Sequence, residues 1–256
     1  MAPQQPQHVS ESDGLEKVMV DRMAVAQRLR WLPFSFSVDR NARSARLMRS
    51  PVQIVDSGRS LDSLLESVRA CRVCEAHLPL GARPVLQAGA AARILIVGQA
   101  PGAKVHASGV PWDDRSGERL RSWMGVSPDV FYDRDRVAII PMGFCYPGRA
   151  TSGDLPPRRE CAPLWLDALL ARMPRIELTL LIGQYAQTHF LRDKGHASVT
   201  ATTKEWRAHA PGVIPLPHPS PRNVAWFKSN PWFDDELVPV LQERVREIMS
   251  RGARKA

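Results

Sequence analysis

Four short apolar runs most constrain how this chain folds: ILIV at residues 94–97, VAII at 137–140, LTLLI at 178–182 and VIPL at 213–216. None alternates cleanly between apolar and polar residues, which is the pattern of strands buried on both faces. Helical text separates them. ERLRSWMG follows the first run, with a helix start expected near Ser116; CAPLWLDALLARM follows the second and QYAQTHFLRDK the third. Strands that alternate with helices read as parallel neighbours joined by helical crossovers. The expected class is therefore α/β, a three-layer αβα architecture around a central, mainly parallel four-stranded sheet. In such sheets ligands bind where the strands end, which singles out GQAPG, PMGFC, GQYAQ and PHPSPRN.

Helical spacing sets the limits of the domain. LDSLLESVRAC, from Leu61 into Cys71, reads as an amphipathic helix with Ser60 as its N-cap. A closing helix over 232–251 is expected to carry Leu237, Val240, Leu241, Val245 and Ile248 on one face. Residues 1–58 join polar text, an apolar patch at 31–36 and the run RNARSARLMRS with no sustained period. They are expected to form a flexible extension, either dispensable for chemistry or a basic arm that adds phosphate contacts. The folded domain is expected over 59–252, with 253–256 a short basic tail.

Thirty-five Lys and Arg against 26 Asp and Glu leave a formal net charge of +9, which favours a polyanionic partner. No uninterrupted apolar stretch approaches the roughly 18 residues that a membrane span needs, so no membrane partner is expected. The opening MAPQQPQHVSESDG lacks the basic-then-apolar order of a secretory signal, and the expected location is cytoplasmic, alongside the nucleoid. The Arg-rich residues 23–49 leave an organelle transit segment as an alternative. Four cysteines are too few for a disulfide framework at this length. A monomer is expected.

Two of the strand-end loops carry chemistry. In GQAPG, Gly98 and Gly102 allow a tight turn and close approach to a ligand, and Pro101 stiffens it. The polar loop that follows contains one aromatic, Trp112, able to stack on a nucleobase or to sit in the core. In PHPSPRN, three prolines hold one histidine, His218, in a rigid loop. A neutral imidazole N–H held in this way is suited to donate to negative charge that develops on a leaving group. Ser220, Arg222 and Asn223 lie just beyond, placed to grip phosphates or enter the space a displaced base vacates.

The two loops, about 115 residues apart, resemble motifs A and B of the uracil-DNA glycosylase superfamily. The resemblance runs over roughly residues 61–248 and is closest to the iron–sulfur branch, family 4. It implies an enzyme that flips uracil out of DNA and hydrolyses its N-glycosidic bond without strand cleavage, leaving an abasic site; its partner would be DNA containing uracil or abasic sites. Carried over, Gln99 takes the place of the motif A polar residue, Trp112 the stacking aromatic and His218 the histidine that faces uracil O2. Gly98, Ala100, Pro101 and Gly102, with Met142 and Gly143, fall around the base. Arg222 and Asn223 match the intercalating wedge. Arg149, Arg158 and Arg159 supply a phosphate-gripping edge.

Two departures bear on mechanism. Ala100 stands where family 1 has its water-activating aspartate, and Pro141 stands where family 4 has the asparagine that pairs with the uracil edge. Either base specificity is relaxed, or another group reads the base: backbone of Met142 and Gly143, Asn223, or a loop side chain. For water, Gln99 is the first candidate to orient it and His106 the second, with Asp113 and Asp114 titratable on the same loop. Lys104 keeps a Schiff-base route open. The alternatives are a glycosylase mainly for hypoxanthine or xanthine, and a catalytically weak protein that holds abasic or damaged sites.

Cys71 and Cys74 form CRVC, and fifteen residues separate Cys145 from Cys161. The spacing alone leaves a zinc ion, a [4Fe–4S] cluster or no metal open. The resemblance implies a structural [4Fe–4S] cluster on all four, tying the first helix to the loop over 141–161, with zinc as the alternative.

Overall fold

The computed structural model describes residues 59–253 apart from Ser152. The expected extension over 1–58 and residues 254–256 of the expected tail lie outside the described residues.

The chain enters through α1, Leu61–Arg69, where the Ser60 Oγ accepts the Ser63 N–H at 3.2 Å. The helix stops short of Cys71, and its apolar stripe of Leu61, Leu64, Leu65 and Val68 is buried. After β1, Ile94–Val97, come α2, Ala103–Ser108, α3, Arg115–Met124, and the single turn α4, Pro128–Phe131. β2, Val137–Ile139, leads to two short strands, β3, Arg149–Ala150, and β4, Gly153–Asp154, and then through a π-helical turn at Ala162–Leu166 into α5, Asp167–Leu170. β5, Leu178–Ile182, is followed by α6, Gly183–Leu191, and α7, Val199–Lys204. β6, Val213–Leu216, precedes α8, Val224–Ser229. A second π-helical turn at Phe233–Leu237 opens α9, Val238–Ala253.

β1, β2, β5 and β6 form one parallel sheet in the order β2-β1-β5-β6, with Ile94 opposite both Val137 and Leu178, and Thr179 opposite Val213. The two-residue strand period divides each strand between two cores. Leu95 and Val97 pack with α1 and with Leu166 and Leu169. Ile94 and Ile96 face the other way, onto Leu120 and Met124 of α3 and Leu241, Val245 and Ile248 of α9. Both faces are therefore covered, and the layers are those expected from the apolar runs.

Three details differ from expectation. Val240 is 43% exposed, because three residues advance about 300° around a helix and carry it off the stripe of Leu237, Leu241, Val245 and Ile248. The segment after β2 is not wholly irregular: β3 and β4 pair antiparallel, Arg149 opposite Asp154, and Gly148 (φ 105°) accepts the Leu155 N–H at 2.9 Å. The GQYAQ segment serves the sheet. Buried Gln187 donates from its amide to the carbonyl oxygens of Leu216 at 3.0 Å and Leu181 at 3.4 Å, joining β5 to β6.

Candidate active site

A cavity of about 360 Å³ opens where β1, β2 and β6 release their chains, within the size range of small-ligand sites. The β1 side is formed by Gly98, Gln99, Ala100, Pro101 and Gly102, and the β6 side by His218, Ser220 and Arg222. Trp112 closes a third side, its ring centroid 5.7 Å from that of His218 with the planes tilted by 35°. Gly98 makes this arrangement possible, since a Cβ there would stand 3.1 Å from Trp112 Cζ2.

Trp112 is neither core nor surface. It is half-buried with φ of 58°, a left-handed conformation that costs a bulky residue about 1–2 kcal/mol. The surroundings impose it: the Trp112 carbonyl accepts from Tyr132 Oη and Arg121 Nη1, each at 3.4 Å, and a Cβ on Gly117 would lie 1.8 Å from that same oxygen. Asp114 adds the N-cap of α3, its Oδ1 accepting the Gly117 N–H at 2.9 Å.

His218 is held from behind. Asn223 Nδ2 donates to its carbonyl at 2.8 Å, Ser220 Oγ accepts the Arg222 N–H at 3.2 Å, and Arg119 Nη1 reaches the Ser220 carbonyl at 3.3 Å. Burial pushes the imidazole pKa below its ordinary value, and the nearby charges of Asp114 and Asp154 only partly oppose this. A lowered histidine pKa means that the unfolded chain takes up the proton first as pH falls. The associated stability is full above the unfolded value of about 6.5 and is lost as pH drops through the folded value. An activity that needs a neutral His218 should accordingly hold level from pH 8 to about 6.5 and decline only below it. A single-turnover pH profile with its acid midpoint above that value would contradict a neutral His218.

The remaining expected residues lie elsewhere. His106 of α2 is buried with its ring 6.2 Å from that of Tyr146, and its Nδ1 has no hydrogen-bond partner among the described residues. The Met142 and Gly143 N–H groups donate to the Gly98 and Gln99 carbonyls, each at 2.9 Å, extending the β1–β2 pairing beyond the strands. They are engaged there rather than turned to a base. Asn223 is engaged by His218. Arg158 does not line the cavity; its Nη2 pairs with Glu160 Oε1 at 2.5 Å, and its guanidinium lies near the Cys74 thiol. Arg149 is exposed on β3. Asp113 is exposed outside the cavity, whereas Asp114 and Lys104 line it. Pro141 lines it too, with Ile139 and Val85, giving an apolar stretch where an amide would otherwise read a base edge.

Sequence reasoning passed over Asp154, which β4 brings to the cavity. The pair of glycines in PGRATSGD was the available signal, since Gly148 and Gly153 (φ 105° and 142°) bracket the hairpin.

The four cysteines gather in one place without a disulfide: Cys74, Cys145 and Cys161 are buried, and Cys71 is half-buried. Burial pushes the thiols of Cys145 and Cys161 up to about 11 and about 12, and Cys71 and Cys74 lie within electrostatic reach of both. Among the described residues no group of three or more His, Cys, Asp or Glu side chains is arranged to hold a metal ion.

An indole over a strand-end glycine and a histidine in a proline-stiffened loop face one cavity at the carboxyl edge of a parallel sheet, where α/β enzymes bind their ligands. Residues 87–242 match the family model of the Uracil DNA glycosylase superfamily, and the chain belongs to that superfamily. It is a DNA glycosylase, a hydrolase of DNA repair whose partner is DNA. The matched span includes both motifs, Cys145 and Cys161, and begins after Cys71 and Cys74. Among the described residues no helix is long and apolar enough to cross a membrane.

Proposed function

We propose that this enzyme removes uracil from DNA as a monofunctional glycosylase and leaves an abasic site. The observation that carries the reading is the pairing of Trp112 and His218 beside the GQAPG loop. Taking a base out of the stack costs a few kcal/mol, and stacking on an aromatic returns about 1–3 kcal/mol. As the bond from C1′ to the base breaks, negative charge builds on the ring oxygens, and a neutral His218 N–H already aimed there stabilises it. Lys104, Arg115 and Arg222 at the cavity supply positive charge for the flanking phosphates.

An oligonucleotide with a single uracil, incubated with the protein and then heated in alkali, should break at that position. An unbroken strand sinks the proposal. Borohydride should trap no covalent adduct through Lys104; a trapped adduct would make the enzyme bifunctional. The apolar stretch of Val85, Ile139 and Pro141 favours a second reading, in which hypoxanthine or xanthine is removed as well or instead. The same assay on those bases decides. Tight binding to abasic DNA without product would mark a protein that has lost turnover.

We infer further that Cys71, Cys74, Cys145 and Cys161 hold a [4Fe–4S] cluster. The support is the gathering of four mostly buried thiols with no disulfide, each of Cys145 and Cys161 within electrostatic reach of Cys71 and Cys74. The group would tie the turn after α1 to the loops before and after β3–β4. Anaerobically purified protein should be brown with broad visible absorbance and contain about four irons per chain. Colourless protein with one zinc would overturn this, as would metal-free protein of undiminished thermal stability. We propose a monomer in solution, to be read by sedimentation.

A further inference from the structure

We propose that Asp154 is the carboxylate that accepts the proton of the attacking water, and that Gln99 is a positioning residue that holds it at the cavity. The proposal rests on the base-excision reading above and supplies what Ala100 lacks.

Hydrolysis needs a water at C1′. The water oxygen bonds to C1′ as the bond from C1′ to the base nitrogen breaks; the base leaves with the electron pair, and the water loses a proton. Position 100 offers no acceptor for it. Asp154 does, from a different element. It lines the same cavity as Gln99 and His218, and its Oδ2 lies 3.6 Å from where a Cβ on Gly102 would stand, which puts the carboxylate in contact range of the GQAPG loop. The Asp154 carboxylate makes no hydrogen bond or ion pair among the described residues. Asp114, the other carboxylate at the cavity, has Oδ1 engaged in capping α3.

Gln99 fixes the hairpin. Its side-chain Nε2 donates to the Leu155 carbonyl at 3.0 Å, one residue beyond Asp154, while the Leu155 N–H donates to Gly148. The hairpin thus hangs on the motif A side chain, and the amide that looked suited to orient water instead anchors the group beside it. Arg222, whose Nη1 lies 4.0 Å from where a Cβ on Gly153 would stand, lines the same cavity with Lys104 of α2, Arg115 and Asp114, and the His218 ring lies there too.

The test uses the full-length protein in single-turnover excision of uracil from an oligonucleotide. Asp154→Asn keeps shape and backbone pairing, and should slow excision about 100-fold while abasic-DNA affinity stays equal or tightens, since a negative charge is removed. Asp154→Glu should recover part of the rate. Gln99→Ala should slow excision on its own, yet add nothing to Asp154→Asn, because both act through one group. Asp154→Asn within threefold of the wild type overturns the assignment for Asp154. Additive losses in the double variant overturn the role of Gln99. If the wild type makes no product on any base, the base-excision reading fails and takes this inference with it; an active wild type with an equally active Asp154→Asn sinks this inference alone.

Discussion

Replacing His218 with alanine should slow single-turnover uracil excision by about 10²–10³, equivalent to about 2.7–4 kcal/mol at the transition state, while weakening binding to abasic DNA far less. The asymmetry follows from the role proposed for the ring. A donor aimed at charge that exists only as the base departs stabilises the transition state and leaves the ground state nearly untouched. The loop would survive the change, because it is held through backbone: Asn223 grips the His218 carbonyl, and Ser220 is bonded through its own carbonyl and hydroxyl. Arg222→Ala is the natural contrast. It should weaken binding across sequences and lower the salt slope by about 1, with a modest change in the bound-state rate. Equal losses of rate and affinity in His218→Ala would argue that the ring only shapes the cavity.

Phe233→Ala should cost about 3–5 kcal/mol of stability, the largest effect expected from a single core truncation here. Phe233 is fully buried in the π-helical turn before α9. Its ring centroid lies 4.8 Å from Trp123, 5.6 Å from Phe227, 5.8 Å from Trp226 and 6.1 Å from Trp232. Such pairs add about 0.5–1.5 kcal/mol beyond the area they bury. The cluster joins α3, which follows the Trp112 loop, to α8, which follows the His218 loop. At about 2–4 °C per kcal/mol for a domain of this size, calorimetry should show Tm lower by at least about 6 °C. Val240→Ala, on the exposed flank of α9, should shift it little. A small shift for Phe233→Ala would mean that the aromatic ring is not fixing the two loops.

The parts of the fold legible in the sequence are those with one dominant physical cause. The four central strands read clearly because both of their faces are buried, and α1 because Ser60 and the Leu61, Leu64, Leu65, Val68 spacing agree. The β3–β4 hairpin was illegible because two-residue strands carry no period, and its course depends on backbone angles at Gly148 and Gly153. Within the site, GQAPG and PHPSPRN were readable from their place at strand ends. Nearness in sequence misplaced others. Asn223, Arg158 and the amides of Met142 and Gly143 sit beside the right loops but satisfy internal partners, as polar groups near buried surface must. GQYAQ occupies a strand end, yet Gln187 is engaged between β5 and β6. Asp154 reaches the cavity through a fold-back signalled only by the glycines at 148 and 153.

The left-handed backbone at Trp112, locked by Gly117, Arg121 and Tyr132, has a bearing on timing. If Trp112 stacks on the base as proposed, an aromatic held in this pose before DNA arrives has met its conformational cost during folding, and capture need not wait on a segment of the enzyme swinging into place. On that proposal the clock for base capture would be set by the nucleic acid, by how often the damaged nucleotide opens from its helix. Substrates whose base is unpaired from the outset should be seized soonest.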